Sequence, residues 1–205
     1  MYRRLRMYIA QSVGMFDLIP TTRKRDLDKI ADWVRGRTKS ADTARLTFIC
    51  THNSRRSQMA QVWAQTAAAW YKIPGVTAYS GGTEVRALNP RVVSVLKRAG
   101  FRVEKRSGGK NAVHLVWYDD QEAPVTAYSK LYNQDPNPQA DFCAVMTCSA
   151  ADQNCPVVLG ASSRVSTPYD DPQDFDDTDG EKMVYDERCL QISYEILYSF
   201  ARADV

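Results

Sequence analysis

Apolar positions recur along this chain of 205 residues at two different periods. Short, nearly continuous apolar runs stand at 46–50, 76–80, 113–118 and 142–147, with a briefer one at 163–166, and each predicts a strand. Between them the period lengthens to that of a helix. Leu27, Ile30, Trp33 and Val34 mark one helix over 21–37, with Thr21 or Thr22 placed to cap its start. An alanine-rich helix runs from Ser57 to about Tyr71 and stops before Pro74 and Gly75. Pro90 opens a third helix at its first turn, and Gly100 closes it as a C′ glycine. Met183, Val184, Leu190, Ile192, Ile196 and Leu197 trace a long C-terminal helix. Strand and helix alternate, so the expected fold is α/β, a parallel sheet joined by right-handed crossovers.

Two stretches fit this alternation poorly. Residues 1–20 show no clear period; they are expected to be loosely ordered, or docked through Tyr2, Tyr8 and Phe16. Residues 101–138 are blurred, with one strand, an acidic turn at 119–122 and a short helix expected at 128–132. Their aromatic residues Trp117, Tyr118, Tyr128 and Tyr132 either wall a pocket or simply pack. The expected organisation is an N-terminal extension over 1–42 with an amphipathic helix, then one domain over 43–205 carrying an insertion at about 107–140.

Composition narrows the function more than the fold. A net charge of +3 gives no reason to expect nucleic acid or membrane as a partner. No apolar run of about 18 residues is present to span a bilayer. Five cysteines, an odd number in a chain of this size, suggest reduced thiols and a cytoplasmic location rather than a disulfide framework. Only two histidines, His52 and His114, leave a zinc site or a Ser-His-Asp triad poorly supplied, and no metal or cofactor is expected.

The candidate chemistry lies where the first strand ends. Cys50-Thr-His-Asn-Ser-Arg-Arg56-Ser57 puts a thiol at the mouth of a polar loop and an arginine six positions on, at the start of a helix. Backbone amides of such a loop, backed by the helix dipole, form a nest for a tetrahedral oxyanion. The same positive field favours the thiolate, which is the nucleophilic form. Arg56 can grip two oxygens at once, as a lysine cannot. Thr51, His52, Asn53, Ser54, Arg55 and Arg56 are therefore the expected substrate-binding residues. The competing reading is a buried cysteine that closes a core strand.

Read together, Cys50 to Ala60, Ser80-Gly-Gly-Thr-Glu84, Asn89-Pro90, Cys148 to Cys155 with a following proline, and Asp170-Asp171-Pro172 resemble the low-molecular-weight protein tyrosine phosphatase fold family, and within it the thioredoxin-coupled arsenate reductases. The resemblance runs from about Arg45 to Ala201. It implies a three-layer α/β/α fold around a central four-stranded parallel sheet. It also implies roles: Cys50 as nucleophile, Arg56 as oxyanion clamp, Ser57 as hydrogen-bond partner of the thiolate, and Asp171 as general acid, with Asp170 the adjacent alternative. The reductases carry two further cysteines seven positions apart, as Cys148 and Cys155 are here. By resemblance, Cys148 attacks the Cys50 adduct and Cys155 then attacks Cys148. The final disulfide would be reduced by thioredoxin. Cys143 and Cys189 read as structural.

The chain also departs from the pattern. His52 and Arg55 stand where those reductases commonly carry Gly and Cys. Gln61 replaces a carboxylate that helps bind potassium in some of them, so that ion is not expected. Three readings stay open: reduction of arsenate, hydrolysis of phosphotyrosine or another aryl phosphate, and a non-catalytic oxyanion-binding or redox-sensing module.

Overall fold

Strand β1, Ala44–Cys50, is buried along almost its whole length, as a strand must be when both faces of its sheet are covered. In the computed structural model, which describes residues 1–155 and 157–204, it pairs in parallel with β2 (Val76–Gly82) on one side and β6 (Phe142–Met146) on the other. Strand β7 (Ala161–Ser166) adds beyond β6, giving a four-stranded parallel sheet in the order β2-β1-β6-β7. Pro156, the proline after the second cysteine of the late loop, and Val205 lie outside the described residues.

The two faces of the sheet are covered unequally. On one, Leu46 and Phe48 of β1 and Cys143 and Val145 of β6 join a large core. That core also takes buried residues from α1 (Arg3–Val13), α2 (Thr21–Lys39), α3 (Arg56–Trp70), α4 (Pro90–Ala99) and α6 (Glu181–Ala203). On the other face Ile49, Phe142, Ala144 and Met146 form a smaller cluster with Cys50, Cys148 and Ala151. The helix on this side is α5 (Ser149–Asn154), only six residues long. The expected layers are present, one thick and one thin.

One expectation is decided between its alternatives and two change. The first residues are docked rather than loose, through two of the aromatic residues expected to do it: Leu5 and Ile9 of α1 are fully buried, Tyr8 stacks on Trp63 with ring centroids 5.4 Å apart, and Phe16 meets Tyr198 edge-on at 5.6 Å. Leu5, Tyr8, Ile9 and Ser12 do recur at helical spacing, but the surrounding arginines hide it. The blurred stretch is a second, antiparallel sheet of β3 (Arg102–Lys105), β4 (His114–Trp117) and β5 (Val125–Ala127), so its structure starts before residue 107. The short helix expected at 128–132 does not form. That backbone instead lies along Gly82: the Gly82 amide donates to the Lys130 carbonyl at 2.8 Å and the Tyr132 amide to the Gly82 carbonyl at 3.0 Å.

The close approach explains the paired glycines of the Ser-Gly-Gly segment. A Cβ on Gly81 would lie 2.2 Å from the Tyr132 Cα. One on Gly82 would lie 2.4 Å from the Glu84 carbonyl, 2.7 Å from that of Thr51 and 2.9 Å from the Asn53 amide. Gly82 is therefore the floor on which the loop after β1 rests.

Candidate active site

The loop after β1 is held by its carbonyls. Those of Cys50 and Thr51 accept from the amides of Thr83 (3.2 Å) and Glu84 (2.8 Å). His52 accepts from Ser129 Oγ at 2.9 Å, Asn53 from Gln58 Nε2 at 3.0 Å and Ser54 from the Asn89 amide at 3.1 Å. With every carbonyl drawn outward, the amides turn the other way. Those of residues 51–55 donate to no protein acceptor among the described residues. They are followed by the unpaired first amides of α3, and the whole forms a concave set of donors suited to an anion.

Asn53 makes the tightest bend, at φ 45°, a conformation asparagine tolerates better than most residues. Its side chain is fully buried and faces away from the nest. Nδ2 donates to Ser57 Oγ at 2.9 Å and Oδ1 accepts from the Lys130 amide at 3.0 Å. Asn53 thus braces the loop, and Ser57 Oγ in turn lies 3.1 Å from Cys50 Sγ. The thiol sits at the end of β1 and is almost wholly buried.

Arg56 stands at the first position of α3. It donates to the Tyr169 carbonyl at 2.9 Å and is ion-paired with Asp171, while its buried Nε has no partner among the described residues. That donor and the amides are free for an oxyanion. Asp171 caps the turn Pro172–Phe175, its Oδ1 accepting from the Gln173 amide at 3.2 Å. Asp170 points outward to Arg188 at 3.3 Å and is nearly fully exposed. Of the two candidate acids, the geometry brings Asp171 to the loop and leaves Asp170 outside it.

Two of the expected substrate ligands are placed differently from the rest. The Arg55 guanidinium does not face the nest; it is buried on the other side, bonded to Gln173, Asp176 and Tyr185. His52 sits at the rim with Nε2 3.4 Å from the Glu84 carboxylate. Partial burial and the nearby Arg86 charge hold its basicity below the usual histidine range, Glu84 offsetting them in part. Thr51 and Ser54 belong to the loop itself, and Ser54 Oγ donates to the Ala87 carbonyl at 2.6 Å.

The late cysteines sit on the thin face of the sheet. Cys148 is the N-cap of α5, buried, with Sγ 3.5 Å from Thr51 Oγ1 and so beside the residue that follows Cys50. Cys155 lies at the other end of α5, half-buried, its carbonyl held by Arg164 at 3.2 and 3.3 Å. Burial pushes the thiols of Cys143 and Cys189 up to about 12 and about 11, so both remain neutral, unreactive core groups.

The braces behind the loop are nearly silent in the sequence. Gln58, Ser129 and Lys130 hold the loop, yet only the early position of Gln58 in the helix carried any signal, and nothing local marks Ser129.

A thiol, an arginine and inward-turned amides at the carboxyl end of a parallel sheet define a cysteine-dependent oxyanion site. Residues 45–119 match the family described as low molecular weight phosphotyrosine protein phosphatase. Arsenate reductase 2 of Staphylococcus epidermidis is 31% identical over 133 residues, which is 64% of this chain and 80% of that protein. The arsenate reductase of Bacillus licheniformis is 28% identical over 156 residues, covering 75% and 92%. Among solved structures, a low molecular weight phosphotyrosine phosphatase from Vibrio cholerae superposes with a TM-score of 0.50 at 10% identity, over 76% of this chain and 93% of that one. The chain belongs to the low molecular weight phosphotyrosine protein phosphatase family, and arsenate reductases are among its relatives.

Proposed function

We propose that this protein is an arsenate reductase that works through Cys50, Cys148 and Cys155 and is recycled by the dithiol protein thioredoxin. The observation that carries the reading is the place of Cys148: a second buried thiol stands at the edge of the anion loop, 3.5 Å from the Thr51 hydroxyl. Hydrolysis has no step for a second thiol, which in a phosphatase would serve only to protect or regulate Cys50. The reductase names of the relatives support the same reading.

The steps follow from the groups present. The Cys50 thiolate attacks arsenic, and the oxygen that leaves departs as water with the proton of Asp171. Arg56 and the loop amides hold the remaining oxygens. Cys148 then attacks the Cys50 sulfur. The S–As bond breaks with its electron pair staying on arsenic, arsenite leaves, and a Cys50–Cys148 disulfide remains. Attack by Cys155 on Cys148 frees Cys50 and forms Cys148–Cys155. Two electrons from the external dithiol restore both thiols. Across seven residues at about 1.5 Å each, Cys148 and Cys155 are roughly 10 Å apart along α5, whereas a disulfide needs Cα atoms within about 7 Å. The helix must therefore open for the second exchange.

Asp171 beside Arg56 equally suits hydrolysis, with Cys50 phosphorylated and water completing the cycle. One substitution separates the two outcomes. Cys155→Ser should stop multiple-turnover arsenite production with thioredoxin while leaving a single turnover and aryl phosphate hydrolysis intact. Unchanged multiple-turnover reduction in that variant would defeat the three-cysteine scheme.

A further inference from the structure

Two consecutive arginines leave the same loop in different directions. Arg56 reaches Asp171 and the Tyr169 carbonyl, whereas Arg55 turns away from the nest and is buried. Each nitrogen of the Arg55 guanidinium has its own acceptor. Nε donates to Tyr185 Oη at 2.7 Å, Nη1 to Gln173 Oε1 at 2.9 Å and Nη2 to Asp176 Oδ2 at 2.7 Å. Its charge is already matched by Asp176, whose other oxygen accepts from Tyr185 Oη at 2.7 Å. Three of its five N–H donors are taken, one on each nitrogen, and these bonds hold the buried guanidinium on the side away from the nest.

The acceptors have a common address. Gln173 lies within the turn Pro172–Phe175 and Asp176 closes it, the Asp176 amide donating to the Gln173 carbonyl at 2.9 Å. Asp171 opens the same turn. A turn this short has few internal freedoms, so fixing its middle and its end fixes its beginning. A planar fork spreads its donors over three nitrogens and so spans three acceptors set apart from one another; a lysine would have to gather them around one nitrogen. We infer that Arg55 is a positioning residue for the general acid: it clamps the turn that presents Asp171, and it does not bind the oxyanion. The inference rests on reading Asp171 as the acid, and the test separates the two.

The test uses Arg55→Met and, as a milder cut of one bond, Gln173→Ala, each compared with Asp171→Asn. Binding is read without turnover, as protection of Cys50 from iodoacetate by inorganic phosphate. Acid function is read as leaving-group dependence: phenyl phosphate, whose leaving group needs a proton, against p-nitrophenyl phosphate, whose leaving group needs it far less. Losing an acid costs about a hundredfold or more in full, so a misplaced one should cost at least about tenfold. For Arg55→Met the phosphate protection constant should stay within about twofold, while phenyl phosphate turnover falls about tenfold further than that of p-nitrophenyl phosphate. Gln173→Ala should show the same pattern at smaller size, and it decides the matter if Arg55→Met does not fold. Added to Asp171→Asn, either change should bring little further loss, because both act through one proton. A tenfold weaker phosphate protection would overturn the inference by making Arg55 an anion ligand. Equal losses on both substrates, with Asp171→Asn still showing leaving-group dependence, would overturn it alone. If Asp171→Asn lacks that dependence, the acid assignment fails first and the inference falls with it.

Discussion

Lys130 shows how much of the site is bought by groups that never touch substrate. Its amide holds Asn53, yet its ammonium is almost wholly buried over the Tyr128 ring at 4.5 Å, in the wall of a cavity of about 380 Å³ beside α3 and β2. Burial lowers its pKa from the ordinary 10.5 to about 8. Between those values the unfolded chain holds a proton that the folded one gives up, so stability falls as the pH drops from 10.5 to 8 and is level below. The cost near neutrality is about 3 kcal/mol. Lys130→Met should therefore be more stable than wild type in urea at pH 7 by up to roughly that amount, with the gap closing toward pH 10.5. A gap independent of pH would remove the charge from the explanation. Residue types alone say little of this kind. Two adjacent arginines look alike in a sequence, and only the packing of Tyr185 and Asp176 shows that Arg55 leaves the nest while Arg56 stays.

At the scale of elements, the strand–loop–helix around Cys50 was legible because its signals are local: a buried apolar run, a polar loop and a helix start in direct succession. The stretch at 128–132 was not. Tyr128, Leu131 and Tyr132 fall at helical spacing, but their backbone is taken by Gly82, a partner about fifty residues earlier that no local pattern reveals. The same contact makes Gly82 a sensitive position. In Gly82→Ala the new Cβ meets backbone atoms of Thr51, Asn53 and Glu84, none of which can swing aside as a side chain would. Overpacking of this sort costs about 1–3 kcal/mol. Because the displaced atoms belong to the anion loop, kcat/KM should fall at least about tenfold, beyond what the stability loss explains. Wild-type kcat/KM in a folded Gly82→Ala protein would show that the loop does not need this floor. Helix α5 is held differently, by Arg164 to Asp152 at 2.6 Å and to the Cys155 carbonyl, contacts that the proposed second exchange would have to loosen.

Across the whole molecule, the N-terminal helices share the main core with the sheet. The C-cap glycine of α4, at φ 111°, leaves no room for a Cβ because the Leu5 backbone rests there, 2.5 Å from where that atom would lie. Leu5→Ala should cost about 2–5 kcal/mol in urea unfolding, the range for emptying a buried leucine site. A change near zero would mean that the first helix is not part of the cooperative unit. The proposed electron path is also a property of the whole. Cys50 and Cys148 are far apart in sequence, and what joins them is the pairing of β1 with β6, Ile49 opposite Met146, sealed by the Thr147 amide and hydroxyl on the Ile49 carbonyl at 2.7 and 2.9 Å. Adjacent strands lie about 4.8 Å apart, and a slip of one residue shifts a strand by about 3.3 Å and turns its side chains to the opposite face. The hydrogen-bond register at the middle of the sheet therefore sets where the two thiols of the proposed exchange stand relative to each other, and a single-residue slip there would break the proposed circuit with every cysteine still in place.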